Sequence, residues 1–178
     1  MNMIGGRHTM VMNAINAESP AELLTRVASF TNDYIARLHG RTNMFATVFL
    51  ASLEPNSGEL TYVNAGHEPA MIIAPDGSIE ELRPTGPALG MMPDSPFTAQ
   101  TRTLEKGHSL LAFTDGLVEA HSPTGEVYGG QRLRAVLQSQ RGRSASELMH
   151  AVLDAVQTFG AHSEPHDDLT MLAARVTA

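Results

Sequence analysis

The sequence predicts an α+β fold in which antiparallel sheets are covered by helices, and three observations predict it. Helical periodicity is confined to two blocks, one before Gly40 and one after Tyr128. Between the blocks lie about six short runs rich in β-branched, aromatic and aliphatic residues, and a seventh closes the chain. Turn dipeptides join most of the runs directly, so neighbouring strands are expected to pair as hairpins rather than through helical crossovers.

The first block is "SPAELLTRVASFTNDYIARL". Ser19 suits the N-cap, Pro20 the first helical position, and Glu22 stands where a capping box needs it. Leu23, Leu24, Val27, Phe30, Ile35 and Leu38 then recur near helical spacing. Upstream, "MNMIGGRHTMVMNAIN" is also read as helix, weakened by two glycines at roughly 1 kcal/mol each. From Met44 the pattern changes. "MFATVFLASLE" and "LTYVNAG" flank the turn "PNSGE" and read as a hairpin. "PAMIIAPDGSIEELRP" reads as a second, with Asp76-Gly77 at its tip. The Gly/Pro-rich stretch 85–96, "TGPALGMMPDSP", is a long loop of the kind that often carries function. "FTAQTRTLEKGHSLLAFTDG" supplies two more strands joined at Lys106-Gly107. "GGQRLRAVLQSQ" and "SASELMHAVLDAVQTFG" follow as helices, the second opened by a Ser144/Glu147 capping box, and "LTMLAARVT" is the last strand. No composition break or repeat marks a linker, so residues 1–178 are expected to form one domain.

Composition narrows the function classes. Twelve basic against nineteen acidic residues give a net charge of -7, with no Lys/Arg cluster to track a phosphate backbone, which argues against nucleic acid. No apolar run is long enough to span a membrane and the start lacks a signal-peptide pattern, so a cytoplasmic protein is expected. The chain has no cysteine. Disulfides, thiolate zinc sites and cysteine nucleophiles are thereby excluded, and any metal must be held by oxygen or imidazole.

Chemistry concentrates in acids at strand ends. "LLAFTDG" runs four apolar side chains into Asp115, whereas "HDDLTMLAARV" places Asp167 and Asp168 before an apolar run. If these strands are antiparallel neighbours, the end of one and the start of the other share an edge, and the three carboxylates meet. Clustered carboxylates repel unless a cation neutralises them, and all-oxygen ligation suits magnesium or manganese. Taken singly, each acid has an ordinary reading too, because Asp-Gly is a common turn and a strand entry is often solvated. Other constellations fail. "GHSLL" at Gly107 lacks the second glycine of a nucleophile elbow, and "HEPAM" at His67 has Pro69 and no second histidine for a zinc-protease helix.

Taken together, "MFATVFLASLEPNSGELTYVNAGHEPAMII", "TGPALGM", "LEKGHSLLAFTDGLVEA", "GEVYGGQRL" and "HDDLTMLAARV" occur in the order of a known family. The chain resembles the catalytic domain of metal-dependent protein serine/threonine phosphatases of the SpoIIE type, relatives of protein phosphatase 2C. The resemblance covers roughly residues 19–178 and rests on Tyr62 to His67, Thr114-Asp115-Gly116 and Asp167-Asp168. It implies an α-β-β-α sandwich and two manganese or magnesium ions that activate a water for attack on a phosphoserine or phosphothreonine ester. It also implies that Asp115 and Asp167 are metal ligands, that Asp168 is a neighbouring hydrogen-bonding group, that Gly116 lies near the site, and that Asn64, Gly66 and His67 shape a loop near it. The implied substrate is a phosphorylated bacterial regulatory protein of the anti-sigma factor antagonist type.

One departure from the family pattern bears on activity. Nothing in the chain matches the early Asp and the Gly-Asp motif with which members of the family begin, so the domain is expected to be incomplete at its N-terminus, with half the usual ligand set at most. Loss of those strands would bare a sheet edge and favour a homo-oligomer. The competing expectation is a catalytically inactive phosphatase fold that acts in partner binding or oligomerisation.

Overall fold

The computed structural model describes residues 19–39, 44–161 and 168–177. The expected N-terminal helix over residues 1–16 lies outside them. Chain contacts divide the molecule into two compact units, each assembled from two separate stretches of sequence. One comprises residues up to His67 with Arg83–Thr103, and the other Glu68–Leu82 with Leu104 onward.

In the first unit, helix α1 (Pro20–His39) packs on a three-stranded sheet. The Ser19 hydroxyl accepts the Glu22 amide at 3.2 Å and starts the helix as expected. Leu24, Ala28 and Asn32 form the buried stripe at four-residue spacing, while Leu38, at the end of the predicted apolar series, stays exposed. Strands β1 (Val48–Glu54) and β2 (Glu59–Ala65) form the predicted hairpin, paired from Val48 with Ala65 to Glu54 with Glu59. On the other side of β2 lies β5 (Gln100–Thr103), giving the order β1-β2-β5. The core here gathers Leu24, Ala28, Val63, Ala65, Leu89 and Phe97.

The second unit holds β3 (Ala70–Ile73) and β4 (Ile79–Leu82), joined at Asp76-Gly77 as the sequence predicts. Asp76 accepts from both the amide and the hydroxyl of Ser78, at 2.8 and 2.7 Å, and these bonds hold its carboxyl below the usual aspartate range. Strands β6 (Ser109–Phe113) and β7 (Met171–Arg175) complete the order β4-β3-β6-β7. Helices α2 (Gly129–Ser139) and α3 (Ala145–Phe159) cover it, with Leu133, Leu137, Leu148 and Val152 fully or almost fully buried against Leu111 and Phe113. The Ser144/Glu147 capping box is complete.

One expectation is corrected. The strands on either side of Lys106-Gly107 are not a hairpin, because β5 pairs with β2 while β6 pairs with β3 and β7. The turn carries the chain from one sheet to the other. Lys106-Gly107 signals a reversal, but partner choice is set by burial. The largely exposed, polar β5 sequence QTRT suits an edge, whereas SLLAF is buried between two neighbours.

Candidate functional site

Two groups of sequence-predicted residues emerge, one in each unit. In the second unit, β6 and β7 are antiparallel neighbours with Phe113 opposite Met171. The C-terminal end of β6 and the start of β7 therefore share one edge, which brings Asp115 and Asp168 to the same end of the sheet. Thr114 makes the junction. Its amide donates to the Thr170 carbonyl at 3.0 Å, its hydroxyl accepts the Thr170 amide at 2.9 Å, and the same hydroxyl donates to the Asp168 carbonyl at 2.9 Å.

Past Thr114 the chain turns at once. Asp115–Leu117 form a short 3-10 turn closed by the Leu117 amide on the Thr114 carbonyl. Gly116 and Leu117 are buried, and Leu117 joins the core, so the turn is anchored from below. The Asp115 side chain remains exposed, with one carboxylate oxygen taking the Gly116 amide at 3.0 Å. Asp168 is likewise exposed. Asp167 lies outside the described residues.

The second group is a loop scaffold in the first unit. Asn64 is fully buried, and its side-chain oxygen accepts the His67 amide at 2.8 Å. Its carbonyl takes the amides of Thr85 and Gly86, and its own amide donates to the Thr85 hydroxyl. Gly66 has φ +69, and a Cβ there would stand 2.8 Å from the Ala88 nitrogen, so the position demands glycine. The His67 ring nitrogen Nδ1 lies 3.3 Å from the Thr47 hydroxyl. Asn64 and Gly66 thus hold the turn after β2 against residues 85–88, and His67 sits at its outlet.

The Gly/Pro-rich loop is fastened at its other end too. Buried Asn32 accepts the Gly90 amide and donates to the Met92 carbonyl, both at 2.9 Å, while Leu89 and Ala46 exchange backbone bonds. Sequence reasoning missed Thr114, Thr85 and Asn32 as organising residues. A hydroxyl after an apolar strand and an asparagine within a helical stripe are their only sequence signals, and each acquires meaning only once its distant partner is known.

The model of the family Stage II sporulation protein E (SpoIIE) matches residues 3–177. The chain belongs to the SpoIIE family. Among curated relatives of this SpoIIE-type domain, it is 41% identical over 143 residues to Protein IcfG of Synechocystis sp., covering 80% of this chain and 22% of IcfG. It is 28% identical over 137 residues to the Phosphoserine phosphatase RsbU of Bacillus subtilis, covering 75% of this chain and 39% of RsbU. The SpoIIE-type domain thus spans well under half the length of these relatives. Its fold matches the PP2C phosphatase domain of SpoIIE from Bacillus subtilis, with a TM-score of 0.74 over 97% of this chain and 50% of that one, at 13% identity. The α+β architecture of helices and antiparallel sheets is accordingly that of the PP2C-like phosphatases.

Carboxylate oxygens are the donors that manganese and magnesium take, so Asp115 and Asp168 fit such an ion in kind. Among the described residues no group of three or more His, Asp or Glu side chains is arranged to hold a metal. Nor, among the described residues, is any helix of this SpoIIE-type domain long and apolar enough to cross a membrane.

Proposed function

We propose that residues 1–178 belong to one SpoIIE-family domain, a metal-dependent serine/threonine phosphatase domain in the cytoplasm. Its substrate would be a phosphoserine or phosphothreonine on a bacterial regulatory protein of the anti-sigma factor antagonist type. The observation that carries the reading is the Thr114 junction, which sets Asp115 and Asp168 at one sheet edge. The name of the relative RsbU, a phosphoserine phosphatase, supports it.

In this reading Asp115 and Asp167 would hold manganese or magnesium, which when bound would supply an activated water for attack on the phosphoester. The chain's own residues do the positioning. Thr114 fixes where the backbone of β7 begins, buried Leu117 anchors the turn that presents Asp115, and the Gly116 amide orients one of its oxygens. Asp168 stands beside these ligands as a hydrogen-bonding group. Asn64 and Gly66 shape the loop that carries His67, and none of the three is given a chemical step.

The test is hydrolysis of a generic phosphomonoester and of a phosphoserine peptide, with and without manganese, comparing the chain with Asp115→Asn. Because Asp115 is exposed, the variant is expected to fold normally and to lose the metal-dependent rate by at least about a hundredfold. A folded chain with no metal-dependent rate, or a rate indifferent to Asp115→Asn, would refute the reading.

A further inference from the structure

Helix α2 begins where the local signals for a helix are poor. Its N-cap is Tyr128, whose side chain makes no capping bond, its first two residues are glycines, and no acid stands in its first turn. The charge that follows, Arg132, has the sign that the helix dipole disfavours near an N-terminus. Its contacts lie elsewhere. Arg132 Nη1 donates to the carbonyls of Val127 and Tyr128, both at 2.9 Å, and Nη2 lies 3.4 Å from a Glu126 carboxylate oxygen. The guanidinium carbon sits 4.7 Å from the centre of the Phe159 ring, which Tyr128 meets edge-on at 5.4 Å. One half-exposed side chain thus joins the three residues ahead of α2 to the last residue of α3.

The clamped residues lead back to Asp115. Val127 bridges to His121, so the segment entering α2 runs back along the chain that leaves the Asp115 turn. The Tyr128 amide donates to the Ala120 carbonyl and the Gly129 amide to the Val118 carbonyl, while the Glu119 amide donates to the Asp115 carbonyl, all at 2.8 Å. We propose that Arg132 is a positioning residue for the candidate metal site, holding the turn that presents Asp115 through the carbonyls of Val127 and Tyr128. A planar guanidinium meets two carbonyls, a carboxylate and an aromatic face at once, which the compact ammonium of lysine does not. The link to a metal rests on the reading of Asp115 as a ligand. The link to the turn does not.

Arg132→Lys is the test, because it keeps the charge and so any field the side chain exerts on a bound cation. Two quantities are read. Hydrogen exchange at the Glu119, Tyr128 and Gly129 amides is expected to quicken about tenfold relative to the amides of β6, the sign of a local opening rather than a global one. Manganese affinity, followed by the paramagnetic resonance of the free ion, is expected to fall about tenfold. Ser144→Ala, which loosens α3 at the end remote from Phe159, serves as the control and should leave both ratios unchanged. Exchange at the three amides that keeps pace with β6 in Arg132→Lys would overturn the proposal. So would an unchanged manganese affinity, or an equal loss in Ser144→Ala. Manganese binding that Asp115→Asn leaves intact would remove the link to the metal, whereas the exchange data decide the clamp on the turn by themselves.

Discussion

The Thr114 hydroxyl binds the start of β7 in both directions, donating to the Asp168 carbonyl and accepting the Thr170 amide, each at 2.9 Å. One side chain therefore fixes the spacing between two acids 53 positions apart in sequence, Asp115 and Asp168. Thr114→Val keeps the shape and β-branching but leaves two backbone groups without their partner. It is expected to cost about 1–3 kcal/mol in urea unfolding, with faster hydrogen exchange at the Thr170 amide. Thr114→Ser should restore most of both.

Gly66→Ala tests the scaffold beneath His67. The new methyl would meet backbone at Ala88 rather than a side chain that could swing away, and φ +69 disfavours any L residue. A loss of about 1–3 kcal/mol is expected by thermal unfolding. A neutral result would mean that residues 85–88 are not held against the turn.

Asn64→Leu replaces a buried amide of similar size by an apolar group. The His67 amide then lacks the acceptor now at 2.8 Å, and about 1–3 kcal/mol of stability is expected to be lost. Chemical shifts at His67 and Thr85 should move together, because the backbone of Asn64 serves Thr85 and its side chain serves His67.

Much of this architecture is legible in the sequence, because its cues are local. The Ser19 cap, the Ser144/Glu147 box and the Asp76-Gly77 turn each act within four residues and fold as expected. The joint edge for Asp115 and Asp168 was legible too, since opposite apolar gradients in two strands imply it. Partner choice was less so. That β5 joins β2 rather than β6 depends on which faces find cover, which no dipeptide encodes. Leu38 follows helical spacing but lies past the stretch of α1 that is covered, since burial requires a neighbour as well as a period.

Acid tests the last helix. In α3 the Glu147 carboxyl is held below its ordinary range by bonds from the Ser144 amide and hydroxyl, with Arg143 adding to them. A depressed folded-state pKa gives stability that is complete above the ordinary glutamate value and lost as the pH falls through the depressed one. Ser144→Ala is expected to lower stability by about 1 kcal/mol at neutral pH. Its deficit should shrink on acidification, as the parent chain loses the bond from the Ser144 hydroxyl to the carboxylate but keeps the one from the Glu147 amide, and parallel urea titrations at neutral and acid pH would check this.

The interleaving of the two units bears on how the chain is made. The hairpin Ala70–Leu82 leaves the ribosome well before Ser109–Phe113, the strand that flanks β3 on its other side. All four residues of β3 are buried in the finished sheet, so during synthesis they wait with one edge open while more than thirty further residues emerge. At about 5–20 residues per second that wait lasts seconds, long compared with the microseconds in which a hairpin forms. The newborn chain therefore passes through a stage in which Ala70-Met71-Ile72-Ile73 is a ready client for a chaperone. Truncation anywhere between Thr103 and Ser109 would make that stage permanent.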